Sequence, residues 1–251
     1  MSGRPALADD VAQRARPVAL AGEHRLPVVA PLEALLPEGL RRGTTVTVAG
    51  VPGSAVGVTS LALALAAGAS AAGSWVAAVG LPSLGLVAAA ELGLSLERMA
   101  MVAAPASGPW ATVVATLVDA FDVVLLGRGH RLRAADGRRL AARARERGAV
   151  LVVIGGDADG LEVDTRLRIV DARWSGVGHG DGHLSARRVT VEASGRRAAT
   201  RPRRADLWLP GPDGIAIADT PLRVLAQKSD RGCRISTPER EERDVAEVAS
   251  A

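Results

Sequence analysis

Cysteine occurs once in the 251 residues, at Cys233, lysine once, at Lys228, and tyrosine not at all. A lone thiol excludes an internal disulfide framework and any cysteine-built metal cluster. Phe121 is the single phenylalanine, so Trp75, Trp110, Trp174 and Trp208 supply all the other aromatic surface. From so few rings, a protein that stacks successive bases of single-stranded nucleic acid is hard to build. Long apolar runs are missing too. None continues for the ~18 residues of a membrane helix without meeting Gly, Pro or a charge, and no basic start leads into an apolar core at the N-terminus. We therefore expect a soluble, cytoplasmic protein with no membrane partner.

What is present is enough for a full core. A hydrophobic content of 48% over this length suggests one large α/β domain with tails. Residues 1–25 read as a loosely held, alanine-rich arm with a short helix over Leu7–Arg16, residues 26–220 as the core domain, and 221–251 as a charged tail expected to be largely disordered. Basic groups exceed acidic ones by four, and nearly all are arginine. Arginine in such excess suits bidentate phosphate or carboxylate contacts and follows equally from GC-rich codon usage.

The organising stretch is TTVTVAGVPGSAVGVTSLALALA, Thr44 to Ala66. A β-branched run meets a glycine-rich turn, which feeds an alanine- and leucine-rich helical segment, the order of a phosphate-binding loop. Such a loop uses glycines to curl its N–H groups around phosphates, a lysine for the terminal phosphates and a hydroxyl for Mg²⁺. Aligning Gly57, Val58 and Thr59 with the G-K-[ST] end puts Val58 at the lysine position, and Gly50 lies two residues too far upstream. The vestigial loop residues are Gly50, Gly53, Gly57, Thr59 and Ser60; they leave N–H groups at a helix start, or simply make a tight strand-to-helix turn.

Along the chain, Leu26–Gly43 spaces leucines helically between Pro31 and the Pro37/Gly39 stop. Core strands are expected at Thr44–Val48, Trp75–Val79, Met99–Val102, Asp122–Leu126 and Ala149–Ile154. Helices are expected at Ser60–Ala71, after the turn at Gly80–Gly85, at Trp110–Phe121 with Val113, Leu117 and Phe121 on one face, and at Ala135–Arg147 with an arginine-rich exposed face. Apolar strands alternating with helices indicate a mostly parallel sheet covered on both faces. Thr165–Trp174 and Arg187–Ser194 alternate as antiparallel strands do, and Ala205–Leu209 with Ile215–Ile217 reads as a closing hairpin. The fold class is thus α/β, with a mostly parallel central sheet flanked by helices and a C-terminal antiparallel extension.

Several pieces, LLPEGLRRG, SWVAAVGLPSLGLVAAAELGL, RARERGAVLVV, RWSGVGHGDGHLSARRVTVEASG and LWLPGPDG, carry a resemblance over Leu26 to Ala218. In this order they resemble a RecA-like P-loop NTPase core. More narrowly the chain resembles the RecA-related accessory proteins of bacterial mutagenesis cassettes, ImuA and its actinobacterial counterpart ImuA-prime. The resemblance implies a role in SOS mutagenesis and translesion synthesis at the nucleoid. Its implied partners are an ImuB-like Y-family polymerase homologue, an error-prone replicative-type DNA polymerase, and DNA. A RecA-type ATPase also needs a water-polarising carboxylate after the second core strand and an aspartate ending a hydrophobic strand. Carried onto this sequence, these fall on or near Pro82 and on Gly127, so only Thr59 keeps a suitable group. Loss of one charged group of this kind costs about 3 kcal/mol of transition-state stabilisation, and three are missing. Asp119, Asp122, Glu91 and Arg128 are the conceivable substitutes. We expect no catalytic residue, no resident cofactor and no ATP hydrolysis. The alternatives are a divergent ATP-dependent recombinase or KaiC-like ATPase, and an SOS cell-division inhibitor.

Among other candidates, His179, Asp181 and His183 alternate in a glycine-rich connection but lack a further ligand, so we expect no metal site. By resemblance, Ser175–Gly182 is a candidate DNA contact. Two arginine groups face few acids: Arg128, Arg131, Arg133, Arg138, Arg139, Arg143, Arg145 and Arg147 after the fourth core strand, and Arg187, Arg188, Arg196, Arg197, Arg201, Arg203 and Arg204 around the late hairpin. The second group is the expected nucleic-acid or partner contact.

Overall fold

The computed structural model describes residues 25–51, 54–103, 110–127, 133–155, 160–177, 182–196, 201–211, 214–217 and 223–224. Gly53, Arg128, Arg131, Arg197, His179, Asp181, Lys228, Cys233, residues 1–24 and the tail from 225 onward lie outside the described residues.

The leader is less helical than its leucine spacing predicts. Strand β1 (Arg25–Leu26) pairs antiparallel with β2 (Leu40–Arg41), and only α1 (Ala30–Glu33) between them is helical. Pro31 suits the first turn of α1, and Pro37 with Gly39, at φ +69°, prevents continuation. Strand β3 (Thr45–Ala49) then runs through the glycine turn into α2 (Val58–Ala71). After it come β4 (Val76–Val79), α3 (Leu86–Glu91), β5 (Met99–Val102), α4 (Trp110–Ala120), β6 (Val123–Leu126), α5 (Ala134–Arg147) and β7 (Val150–Ile154). The long β8 (Thr165–Val177) and β9 (Gly182–Gly195) follow, then β10 (Arg203–Gly211), β11 (Gly214–Ile217) and β12 (Arg223–Val224).

One 10-stranded sheet results, in the order β11-β10-β9-β8-β3-β7-β6-β4-β5, with β12 also on β10. From β8 to β5 all pairings are parallel, and from β8 to β11 all are antiparallel. The protein is therefore α/β with a mixed sheet, β3 lying inside it between β7 and β8.

Strand alternation divides the interior in two. On one face Val46, Val48, Val76, Ala78, Leu125 and Val152 pack with α2, the leader, and the inward residues Leu167, Ile169, Val189, Val191, Leu207 and Leu209 of the antiparallel strands. On the other, Ala77, Val79, Val124, Leu126, Leu151 and Val153 pack with α4 and α5. Helix α2 is apolar all round because it is buried nearly all round, between sheet and leader. The expected face of α4 does meet the core, with Leu117 buried and Val113 and Phe121 half-buried against the same cluster, but Trp110, Val114 and Val118 are the more deeply buried positions beside it. Nearly every position of WATVVATLVDA is apolar, so spacing alone leaves the direction of the buried stripe open.

Candidate functional site

The turn between β3 and α2 is fixed by close approaches. At Gly50 a side chain would collide with the Ser54 carbonyl oxygen and come within 3.1 Å of the Val58 Cγ2. Gly57 caps the helix in the left-handed region, at φ +80° and ψ −9°, where only glycine is unstrained. A Cβ there would stand 2.9 Å from the Ile169 Cδ1 and 3.3 Å from the Arg187 Cζ. Val58, at the lysine position, is 2% exposed and belongs to the core, whereas Thr59 is exposed and Ser60 half-buried. The N–H groups of Thr59 and Ser60 have no acceptor among the described residues, as expected for the first turn of a helix.

The charge at this turn comes from β9. Arg187 is 6% exposed; its Nε donates to the Leu209 carbonyl oxygen at 2.7 Å and its Nη2 to the Ser60 Oγ at 3.0 Å. The guanidinium carbon lies 4.8 Å from the ring centroid of Trp174 on β8. Burial lowers the Arg187 pKa from its ordinary value, and no carboxylate faces it among the described residues. A buried cation therefore sits beside the positive end of a 14-residue helix with no counter-charge among the described residues.

The other arginines of the expected contact group are dispersed. On the outward face of the extension, Arg168 and Arg204 flank Glu192 at 3.5 and 3.6 Å, and Arg188 meets Asp206 at 3.0 Å. Arg168, Glu192 and Arg204 stand directly opposite one another across β8, β9 and β10, and Arg188 reaches Asp206 diagonally, so the face is a cross-strand ladder of opposite charges. No helix among the described residues covers it, and these strands alternate apolar with charged residues while β6 and β7, covered on both faces, do not. Arg196 pairs with Glu162, Arg201 is exposed, and Arg203 is half-buried.

The positions carried over for a water-polarising acid and a metal-bound acid hold no acid. Pro82 is exposed, and Gly127 approaches the Gly80 carbonyl so closely that any side chain would collide with it. Nor do the conceivable substitutes gather at the turn. Asp119 binds Arg143 and Arg147 between α4 and α5, Glu91 is exposed on α3, and Asp122 holds Arg42 and the Trp75 N–H at the opposite ends of the strands. His183 is exposed on β9, and no cluster of three potential metal ligands occurs among the described residues. Arg187 and Trp174 as a stacked pair were not legible as a site, although one signal existed. Arg187 shares its parity along β9 with Val189, Val191 and Ala193, which marks it as inward-facing.

Fold and turn together define an α/β protein with a mixed sheet whose interior strand passes through a glycine-bearing turn into a buried helix. The family model described as the MT3502 N-terminal domain matches residues 34–160, just over half of the chain, and the chain belongs to that family. It is also similar to the uncharacterized protein Rv3395c of Mycobacterium tuberculosis (strain ATCC 25618 / H37Rv). The two are 37% identical over 153 residues, which is 59% of this chain and 74% of that relative. No helix among the described residues is long and apolar enough to cross a membrane.

Proposed function

We propose that this protein is a non-catalytic, RecA-like accessory protein of the ImuA-prime kind, acting in DNA-damage tolerance at the nucleoid. In this reading it holds an ImuB-like Y-family polymerase homologue and an error-prone replicative-type polymerase in one assembly, with DNA as a further contact. The observation that carries the proposal is Val58. The strand-turn-helix layout is kept, but the lysine position is a core side chain 2% exposed, and Pro82 and Gly127 stand where acids would be needed. A phosphoryl-transfer site stripped of these charges has lost the groups that stabilise the transition state. A scaffold needs only the fold and a surface, and the outer face of β8–β10, which no helix among the described residues covers, offers one, with arginines held in place by carboxylates.

The test is affinity purification of the full-length tagged chain from its own host after DNA damage, alongside an ATP-turnover assay with magnesium. We expect the two polymerase partners to co-purify and turnover to stay at background in both the natural protein and Thr59→Ala. Turnover that Thr59→Ala abolishes would replace the adaptor with an ATP-dependent recombinase or related ATPase. Absence of both polymerases from the purified assembly would remove the mutagenesis role.

A further inference from the structure

We propose that the cleft between the leader and the C-terminal extension binds a small monocarboxylate with a short aliphatic chain. The site uses no residue of the β3–α2 turn and no polymerase partner, so it stands independently of the adaptor role. The cleft holds about 90 Å³ beside the start of β3, at the opposite end of that strand from the turn. One wall is the segment from Leu35 to Arg41; the other is built from Thr165 at the start of β8, Arg203 at the start of β10 and Arg196 just after β9. The floor is apolar, because Leu35, Leu36, Leu40 and Val46 line it and are between 1% and 8% exposed. Water held against such a floor finds few hydrogen-bond partners, so an aliphatic group that displaces it is favoured. The volume suits a chain of about four to five carbons. It is small for a nucleotide or a large cofactor, whose pockets run to about 300–1,000 Å³.

The charged lining sets the sign of the ligand. Arg25 is held by Glu38, and Arg196 by Glu162, so these two arginines are balanced. Asp164 accepts from the Thr45 N–H at 3.0 Å. Arg41, exposed, and Arg203, half-buried, also line the cleft, and neither meets a carboxylate among the described residues. Arg41 and Arg203 against Asp164 leave one net positive charge, which matches a monoanion. A carboxylate offers a guanidinium two oxygens in one plane, the geometry that arginine pairs with best. Inorganic phosphate would bring a second negative charge towards Asp164 and leave the apolar floor unfilled. Because one wall is the leader and the other the extension, a bound acid joins the two, and binding to the folded state alone raises stability.

The experiment is titration of the full-length protein with 4-methylpentanoate, followed by the methyl resonances of Leu35, Leu36, Leu40 and Val46 and by Tm. The comparison probes, at equal ionic strength, are 4-methylpentanamide, inorganic phosphate and a tetrapeptide with a C-terminal leucine. The acid should give saturable shifts centred on these methyl groups with Kd of about 1 mM or tighter, and Tm should rise with its concentration. The uncharged amide should bind about ten-fold more weakly. Arg203→Gln and Arg41→Gln should each weaken the acid about three-fold or more and leave the amide unchanged, a difference that a general loss of structure would not produce. Should Arg203→Gln not fold, the exposed Arg41→Gln and the comparison of acid with amide decide the matter. No saturable shift at these methyl groups with the acid would overturn the site. Equal binding of acid and amide would overturn the carboxylate, and phosphate binding as tightly as the acid would overturn the aliphatic chain. If the peptide binds and the free acid does not, the cleft reads a protein C-terminus, and the small-molecule ligand is overturned.

Discussion

Asp122 is 8% exposed, and both of its carboxylate oxygens are committed: one accepts from Arg42 Nη1 at 2.7 Å and the other from the Trp75 N–H at 2.9 Å. Arg42 itself has a buried Nε without a partner, so this pair is already near the limit of what its surroundings satisfy. Asp122→Ala would leave a buried guanidinium and a backbone N–H unpaired, and truncating one member of a buried pair costs about 3–5 kcal/mol. The expected readout is a lower urea midpoint with an unchanged m value. Asp119 behaves differently. The Arg143 hydrogen bond holds its carboxyl below the ordinary value, burial works against this, and the charges of Arg143 and Arg147 add to the depression. A carboxyl depressed on folding stabilises the fold above its unfolded pKa and loses that contribution as pH falls through its folded pKa. Asp119→Asn should therefore be less stable than the natural protein at neutral pH, with the gap closing in acid as pH falls through the depressed pKa of the folded state. Paired urea curves at neutral and acid pH check it; a gap that persists in acid would mean the carboxylate charge is not what matters there. Asp122 lies at the end of the sheet away from the turn, as its place at the start of a strand implies, but the partners of both acids were not legible, because each lies 24 or more residues away in sequence and meets its acid only through packing.

At the scale of the element, α2 holds a test in which two effects oppose each other. Gly68 lies inside the helix, where exchange to alanine gains about 0.8–1 kcal/mol of helix propensity. The Cβ it would add stands 2.5 Å from the Val28 carbonyl carbon and 2.8 Å from the Pro27 carbonyl oxygen, backbone that cannot turn aside as a side-chain end does. Overpacking costs about 1–3 kcal/mol, so Gly68→Ala should destabilise the protein despite better propensity, read as a lowered Tm. A raised Tm would show that the leader can move away from α2. The same contact explains which elements were legible. β6 and β7 are continuous apolar runs between charged or glycine-rich turns, and their bounds in the structure lie within one residue of the sequence reading. β1 and β2 pair over two residues each, a contact set by how the leader lies on α2, and so short a pairing leaves no periodicity to read. The candidate turn was legible through its glycines, whereas the cation that serves it arrives from β9, some 127 residues after the Ser60 it touches.

At the scale of the whole molecule, the family match and the folded unit do not share a boundary. The match ends at residue 160, but β3 pairs on one side with β8, which begins at Thr165. Removing everything after 160 would turn β3 into an edge and uncover the face of α2 that packs with Ile169, Val189, Val191, Leu207 and Leu209. Burial supplies roughly 25 cal/mol for each Å² of apolar surface, and full burial of one such side chain about 1.5–3 kcal/mol. Losing several of these contacts at once exceeds the ~5–15 kcal/mol by which domains are stable. A fragment spanning 25–160 should therefore bind the dye ANS and lose sidewise packing while keeping helical circular dichroism, with no sharp urea transition, whereas the full chain unfolds cooperatively. If the fragment instead unfolds in one steep transition without binding dye, the antiparallel strands are an appendage on a finished domain. Arg187 would then be a surface group folded back upon it, not a residue of the shared interior.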